Sequence, residues 1–205
     1  MELVQRYQSW LVLLVGVLAG AALFICLQKD SLPITFVHNQ ADVGFAQDMS
    51  VHHQQAVEMS YLIRERTNNE ELKNFAFDII NTQTTQRGMM FGWLEFWGES
   101  MTNTKPMAWM GETEHDQHQG HGNVDSLMMG MATKEEMESF RNKSGREAEK
   151  LFLELMTRHH VGGVMMAEGL LVAGTNPSLL RLAQAMVDGQ QAEIEYMEKL
   201  LRQYE

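Results

Sequence analysis

The chain repeats itself, and this repetition constrains its fold more than any other feature of the sequence. Displacing the 205 residues by 107 positions aligns two blocks without a gap. In the first block, Phe45, Met49, His52, His53, Val57 and Met59 meet Phe152, Met156, His159, His160, Val164 and Met166, six identities in 16 positions. In the second, Ala76, Gln83, Met90 and Leu94 meet Ala183, Gln190, Met197 and Leu201, and Ile80 faces Val187. One offset shared by both blocks marks an internal duplication, so the architecture has to be a single unit used twice.

That unit reads as a helical hairpin. Apolar residues recur at three- and four-residue spacing, as in Leu72, Phe75, Ala76, Ile79 and Ile80. The pattern predicts helices over about 42–66 and 70–98 in the first copy and about 135–172 and 177–204 in the second. Thr67, Asn68 and Asn69 break the first copy; Gly174 to Pro177 break the second, with Asn176 as a cap and Pro177 in the first helical turn. Trp97 and Gly98 mark a further helix end. Two hairpins, each with one apolar face, bury those faces against each other, which makes residues 42–204 an all-α four-helix bundle. With only 3 prolines and short breaks between long periodic stretches, a β-sandwich or barrel is disfavoured. A single cysteine excludes an intrachain disulfide framework.

Ahead of the duplication, residues 10–27 form an 18-residue run without a charged or strongly polar side chain. As a helix this run is about 27 Å long, enough to cross a hydrocarbon core. No clean small-residue cleavage site follows it, which favours a transmembrane anchor, with a cleaved signal as the alternative. A short tail (1–9) precedes the anchor, a linker (28–41) follows, and the bundle is expected outside the cytoplasm, periplasmic or at a bacterial cell surface. The chain carries 16 basic and 27 acidic side chains, a formal charge of −11, which argues against nucleic acid as a partner.

The duplicated histidine pairs carry the chemistry. Met49, His52, His53, Ala56 and Met59 follow the spacing of a buried helical stripe, and Met156, His159, His160, Gly163 and Met166 repeat it. Folding each hairpin about its turn sets His52 and His53 level with Gln83, and Met49 level with Gln86. It likewise sets His159 and His160 level with Gln190, and Met156 level with Glu193. The long connection between the copies is expected to let the first and third helices run parallel, with both layers at one height. A buried polar layer costs stability unless its groups are partnered, and a metal ion would partner them. Imidazole and thioether donors suit copper, above all Cu(I), whereas magnesium and calcium prefer oxygen.

The connection itself, 99–133, has little helical period and reads as a crossover loop. It holds six of the 17 methionines together with His115, His118 and His121, a pattern of flexible metal-capture tracts. Core packing accounts for Met89, Met137 and Met186, but not for methionines in a loop with no core to fill.

Asp48-Met49 with His52-His53, Ala56-Val57 and Met59, then Met156 with His159-His160 and Gly162-Gly163, the run from Gln190 to Met197 and the Trp97-Gly98 helix end together resemble the family labelled domain of unknown function 305. The likeness covers about 42–204. It implies a ferritin-like bundle, often secreted or membrane-anchored, in a family that includes copper-binding proteins protecting against the metal. By this resemblance the ligands are Met49, His52, His53, Met59, Met156, His159, His160 and Met166, in a protein for copper tolerance, storage or trafficking. The two copies differ at Gln86 and Arg87 against Glu193 and Ile194, and at Asp48 against Leu155, so a symmetric four-carboxylate site is not expected. Besides the metal ion and the membrane, a second copy or a copper-trafficking protein is the expected class of partner. A di-iron or di-manganese oxidase is the competing reading, but it needs Glu-x-x-His on bundle helices. The only such pair here, Glu112 and His115, lies in the crossover. A metal-free envelope adaptor is the other alternative. No nucleophile–base arrangement or phosphate loop points to an enzyme.

Overall fold

The structure is a computed structural model that describes residues 37–111 and 128–204. Among these residues there is no strand. Five α-helices follow in order: α1 (Gln40–Arg66), α2 (Glu70–Trp97), α3 (Lys134–Arg141), α4 (Gly145–Ala173) and α5 (Pro177–Leu201), with short 3-10 turns at Ala108–Met110 and Arg202–Tyr204. The anchor expected at 10–27 and the histidines expected to capture metal at His115, His118 and His121 lie outside the described residues. Among the described residues no helix is long and apolar enough to cross a membrane.

Local chemistry places the helix ends where the duplication predicts them. Asn69 caps α2 by accepting from the backbone N–H groups of Glu71 and Leu72, and Asn176, 107 residues on, caps α5 through those of Ser178 and Leu179. Gly98 closes α2 in the left-handed conformation (φ 73°) that favours glycine. The third helix departs from expectation. The predicted single helix over about 135–172 is two, because residues 142–144 interrupt it and α4 starts anew at Gly145 (φ 55°).

The hairpins α1–α2 and α4–α5 pack chiefly through α1 and α4. These two helices run antiparallel, not parallel as the sequence pattern leads one to expect. The start of α1 meets the end of α4: Asn39 Nδ2 donates to the Ala173 carbonyl (2.8 Å), and the buried Asp42 carboxylate accepts from Thr175 N (3.1 Å), Thr175 Oγ1 (2.8 Å) and Asn176 N (3.2 Å). At the opposite end, Thr67 Oγ1 donates to Glu149 near the start of α4. Asp42 and Glu149 are themselves 107 residues apart, so each copy opens with a carboxylate that grips the turn of the other. The length of the crossover is the physical cause. A parallel third helix would need only a short link from the end of α2, whereas this chain travels the length of α1 before α4 begins.

That journey is traced by hydrogen bonds. Gln47 Nε2 donates to the Ser100 carbonyl (2.7 Å), Gln55 holds both backbone groups of Ala132 (2.7 and 2.9 Å), and Arg66 reaches the Arg141 carbonyl (3.2 Å). Arg158 on α4 clasps the Glu136 carboxylate through both terminal nitrogens (2.8 and 2.5 Å). The apolar core divides in two. One cluster holds Met59, Phe75, Phe140, Phe152 and Met156; the other holds Phe45, Met49, Met90, Met166 and Met186. Between them, at mid-height on all four long helices, lies a polar layer.

Candidate metal centre

The layer exists because each copy interrupts its apolar stripe at the same register. Along α1 the buried sequence runs Phe45, Met49, His52, His53, Ala56, Met59; along α4 it runs Phe152, Met156, His159, His160, Gly163, Met166. Antiparallel packing about a point near mid-helix then lays the histidines side by side. The rings of His52 and His159 lie 3.7 Å apart between centroids, tilted by 32°. All four histidines are at most 1% exposed, and Met49, Met59, Met156 and Met166 are fully buried. The antiparallel arrangement also sorts the thioethers, with Met49 and Met166 in one apolar cluster and Met59 and Met156 in the other.

Polar neighbours are few. His53 Nε2 meets Gln86 Oε1 at 2.7 Å, and His160 Nε2 meets Glu193 Oε2 at 2.7 Å, the same contact in both copies. Gln86 therefore sits beside the second histidine of its pair, not level with Met49, and Glu193 sits beside His160, not level with Met156. His52 Nε2 lies 3.0 Å from the carbonyl of Met129 in the crossover. The remaining ring nitrogens, Nδ1 of His52, His53 and His160 and Nε2 of His159, are buried without a hydrogen-bond partner among the described residues, as are Gln83 Oε1 and Gln190 Oε1. Unpartnered buried polar atoms are rare in folded proteins, so six in one layer call for an explanation.

Burial also fixes the charge. Loss of hydration pushes the His52 imidazole down to about 4, with the Met129 carbonyl opposing and His160 assisting. It pushes His53 down to about 3, helped by His52, His160 and Arg87 against the bond to Gln86. His159 is held well below the usual histidine range for the same reason, against a hydrogen bond with the His52 backbone. Neutral imidazoles have a lone pair to offer, which is what a metal ion requires. Among the described residues, however, no three His, Cys, Asp or Glu side chains are grouped to hold an ion. Histidine alone does not make a site.

Sequence reasoning names the four histidines, the four methionines, Gln83, Gln190 and Glu193, and all of them fall in or beside the layer. It misses Gln86 as a partner of His53, although the 107-residue offset to Glu193 is the signal that identifies it. It also misses the Met129 carbonyl, which no side-chain pattern reveals. Asp48, one turn before His52, faces the crossover. Its buried carboxylate accepts from Met107 N (2.7 Å), Trp109 Nε1 (2.9 Å) and Asn103 Nδ2 (3.0 Å). Trp109 in turn fits only because position 44 is glycine, where a Cβ would fall 2.5 Å from its ring.

The fold and the layer together define an all-helical domain whose duplicated halves meet at buried histidines flanked by methionines. Residues 42–201 match the family described as domain of unknown function (DUF305), and the chain belongs to that family. Among solved structures, a DUF305 protein from Streptomyces coelicolor, named as a presumed secreted protein, is 47% identical with a TM-score of 0.71, over 80% of this chain and 92% of its own. A DUF305 fragment from Deinococcus radiodurans is 32% identical with a TM-score of 0.65, over 80% and 97%. CopM in its Cu(II)-bound form is 25% identical with a TM-score of 0.63, over 80% and 97%. No protein of curated function matches the chain.

Proposed function

We propose that this protein is an extracytoplasmic copper-binding protein that takes up Cu(I) at the histidine layer, for tolerance, storage or trafficking of the metal. The observation that carries the reading is the set of four buried histidines, each with a ring nitrogen that finds no partner among the described residues. His52, His53, His159 and His160 would hold the ion, with thioethers from Met49, Met59, Met156 and Met166 completing a donor set that imidazoles alone do not close. Bound copper would supply the missing partner for a layer otherwise costly to bury. The thioethers favour the cuprous ion and disfavour hard cations. Kinship with CopM, which binds Cu(II) in its crystal, supports copper over iron or manganese, and the absence of Glu-x-x-His from the described helices weighs against an oxidase.

The long crossover between two antiparallel hairpins is the connectivity of ferritin-like bundles, and the fold is read as one of that class. An export-type description of a relative, and the apolar run at 10–27, support a bundle tethered outside the cytoplasm. A net charge of −11 suits attraction of cations there. The histidines at 115, 118 and 121 would add weaker sites. Replacing them with asparagine should lower the copper stoichiometry and leave the tightest site intact.

Metal analysis of the full-length protein isolated from its native membranes tests the proposal. Copper in excess of iron and manganese is the expected result. Stoichiometric iron or manganese, or protein isolated free of metal after growth in copper, would contradict it.

A further inference from the structure

The hydrogen bonds around the layer distinguish the two nitrogens of each ring, and they do so unevenly. A backbone carbonyl only accepts, so the bond between His52 Nε2 and the Met129 carbonyl (3.0 Å) requires the proton on Nε2. The Gln86 carbonyl oxygen imposes the same on His53 (2.7 Å), and the Glu193 carboxylate imposes it on His160 (2.7 Å). A neutral imidazole has one N–H, so a ring held this way and neutral keeps its lone pair on Nδ1, the buried, unpartnered atom in all three. His159 is the exception, because there Nε2 is the atom without a partner. Resting on the copper reading above, we infer that Nδ1 is the donor atom of each of His52, His53 and His160, and that the Met129 carbonyl, Gln86 and Glu193 are positioning groups that lock the tautomer. Glu193 is therefore an outer partner of His160 and not a ligand. Groups that accept the second N–H of a metal-bound histidine fix its orientation and raise its basicity, and their loss typically costs about 10–100-fold in metal affinity.

The Met129 carbonyl can play this part only because two glycines let the crossover lie against α4. A Cβ at Gly162 would collide with the Met129 carbonyl itself, and a Cβ at Gly130 would collide with the Arg158 carbonyl. The first copy has Gln55 at the position equivalent to Gly162, and Gln55 uses both ends of its amide to hold Ala132 (2.7 and 2.9 Å). The duplicated position has thus divided its labour: one copy clasps the crossover, and the other makes room for it. The segment 128–132, which reads in sequence as part of the crossover loop, becomes the tautomer lock of His52.

Nitrogen-15 NMR of the full-length protein labelled at histidine tests this directly, with each ring assigned from single histidine substitutions. In the metal-free protein the long-range proton–nitrogen pattern should show Nε2–H tautomers for His52, His53 and His160 and the Nδ1–H tautomer for His159. In Gly162→Ala, the tautomer preference of His52 alone should relax, while His53 and His160 keep theirs; a merely structural glycine would disturb all rings alike or none. Glu193→Leu should release His160 in the same way and weaken Ag(I) binding by about 10–100-fold. On titration with Ag(I), a redox-inert probe whose spin couples to nitrogen, the splitting should appear at Nδ1 of the three rings. Nδ1–H tautomers in the metal-free protein, or silver coupling at Nε2 of His53 and His160, would overturn the donor assignment while leaving the copper reading intact. Failure to bind Ag(I) or Cu(I) at all, with the tautomers as expected, would instead sink the copper reading and the donor role that rests on it.

Discussion

Burial makes His52 and His53 liabilities in acid. Their folded-state values, about 4 and about 3, lie below the 6.5 of a free histidine, so between those limits the unfolded chain binds protons that the folded chain does not. Their contribution to stability is complete above pH 6.5 and is lost as pH falls toward 4, at up to about 1.4 kcal/mol per pH unit for each histidine. His159, held low by the same burial, acts in the same direction, while the raised carboxyl of Asp48 opposes it. His160 and Arg87, which face the pair, act in the same sense as burial. Urea denaturation of the metal-free protein should show a loss of about 2–4 kcal/mol between pH 7.5 and pH 5, and a flat profile would mean that the layer is hydrated. Asp48 offers a second test at this scale. Asp48→Ala strands the Met107 N–H and the Trp109 indole N–H, and should destabilise by about 2–3 kcal/mol with a red shift in tryptophan emission. The second copy has Leu155 at this position, and its methyl groups pack in the core, so no loop is held there.

Among the elements, the crossover is the one whose role the sequence conceals. Helices α1, α2 and α5 are legible to within a few residues, because their stripes have helical period and their ends carry Asn69, Gly98, Asn176 and Pro177. The break within the third helix is not, since 142–144 contain no proline and interrupt the pattern by less than a turn. The docking of 128–132 is invisible for a different reason. It depends on backbone atoms, the carbonyl of Met129 and both groups of Ala132, which the sequence writes identically at every position. Glycine substitutions separate the docked backbone from ordinary helix surface. Gly130 adopts φ 75° and abuts the Arg158 carbonyl, so Gly130→Ala should cost more than about 2 kcal/mol and free the crossover. Gly88 lies on the exposed face of α2, where a Cβ would meet nothing within 4 Å, so Gly88→Ala should stabilise by about 0.5–1 kcal/mol. Thermal unfolding of the two variants beside the parent checks both signs at once.

At the scale of the whole molecule, the duplication explains why a polar layer persists in a methionine-filled core. Packing the two copies antiparallel through α1 and α4 brings equivalent residues together near mid-helix, so a histidine pair used once in each copy becomes four histidines in one layer. The histidines of that layer are legible, because the 107-residue offset aligns His52 with His159 and His53 with His160, whereas the Gln86 and Met129 carbonyl contacts beside them are not. The direction of the third helix cannot be read from its stripe, since a period-3.6 pattern is the same in either sense; the length of the crossover sets it, and the contacts of Asp42 and Glu149 hold the two ends. The central claim is that these four histidines are the seat of the tightest copper site. Anaerobic competition between the full-length protein and a chromophoric Cu(I) chelator measures it most directly, set beside a variant in which His52, His53, His159 and His160 are all leucine and whose helical content is verified. The account predicts tight binding by the parent and a loss of at least about 100-fold in the variant, equivalent to about 2.7 kcal/mol. Unchanged Cu(I) affinity in a folded variant would contradict it.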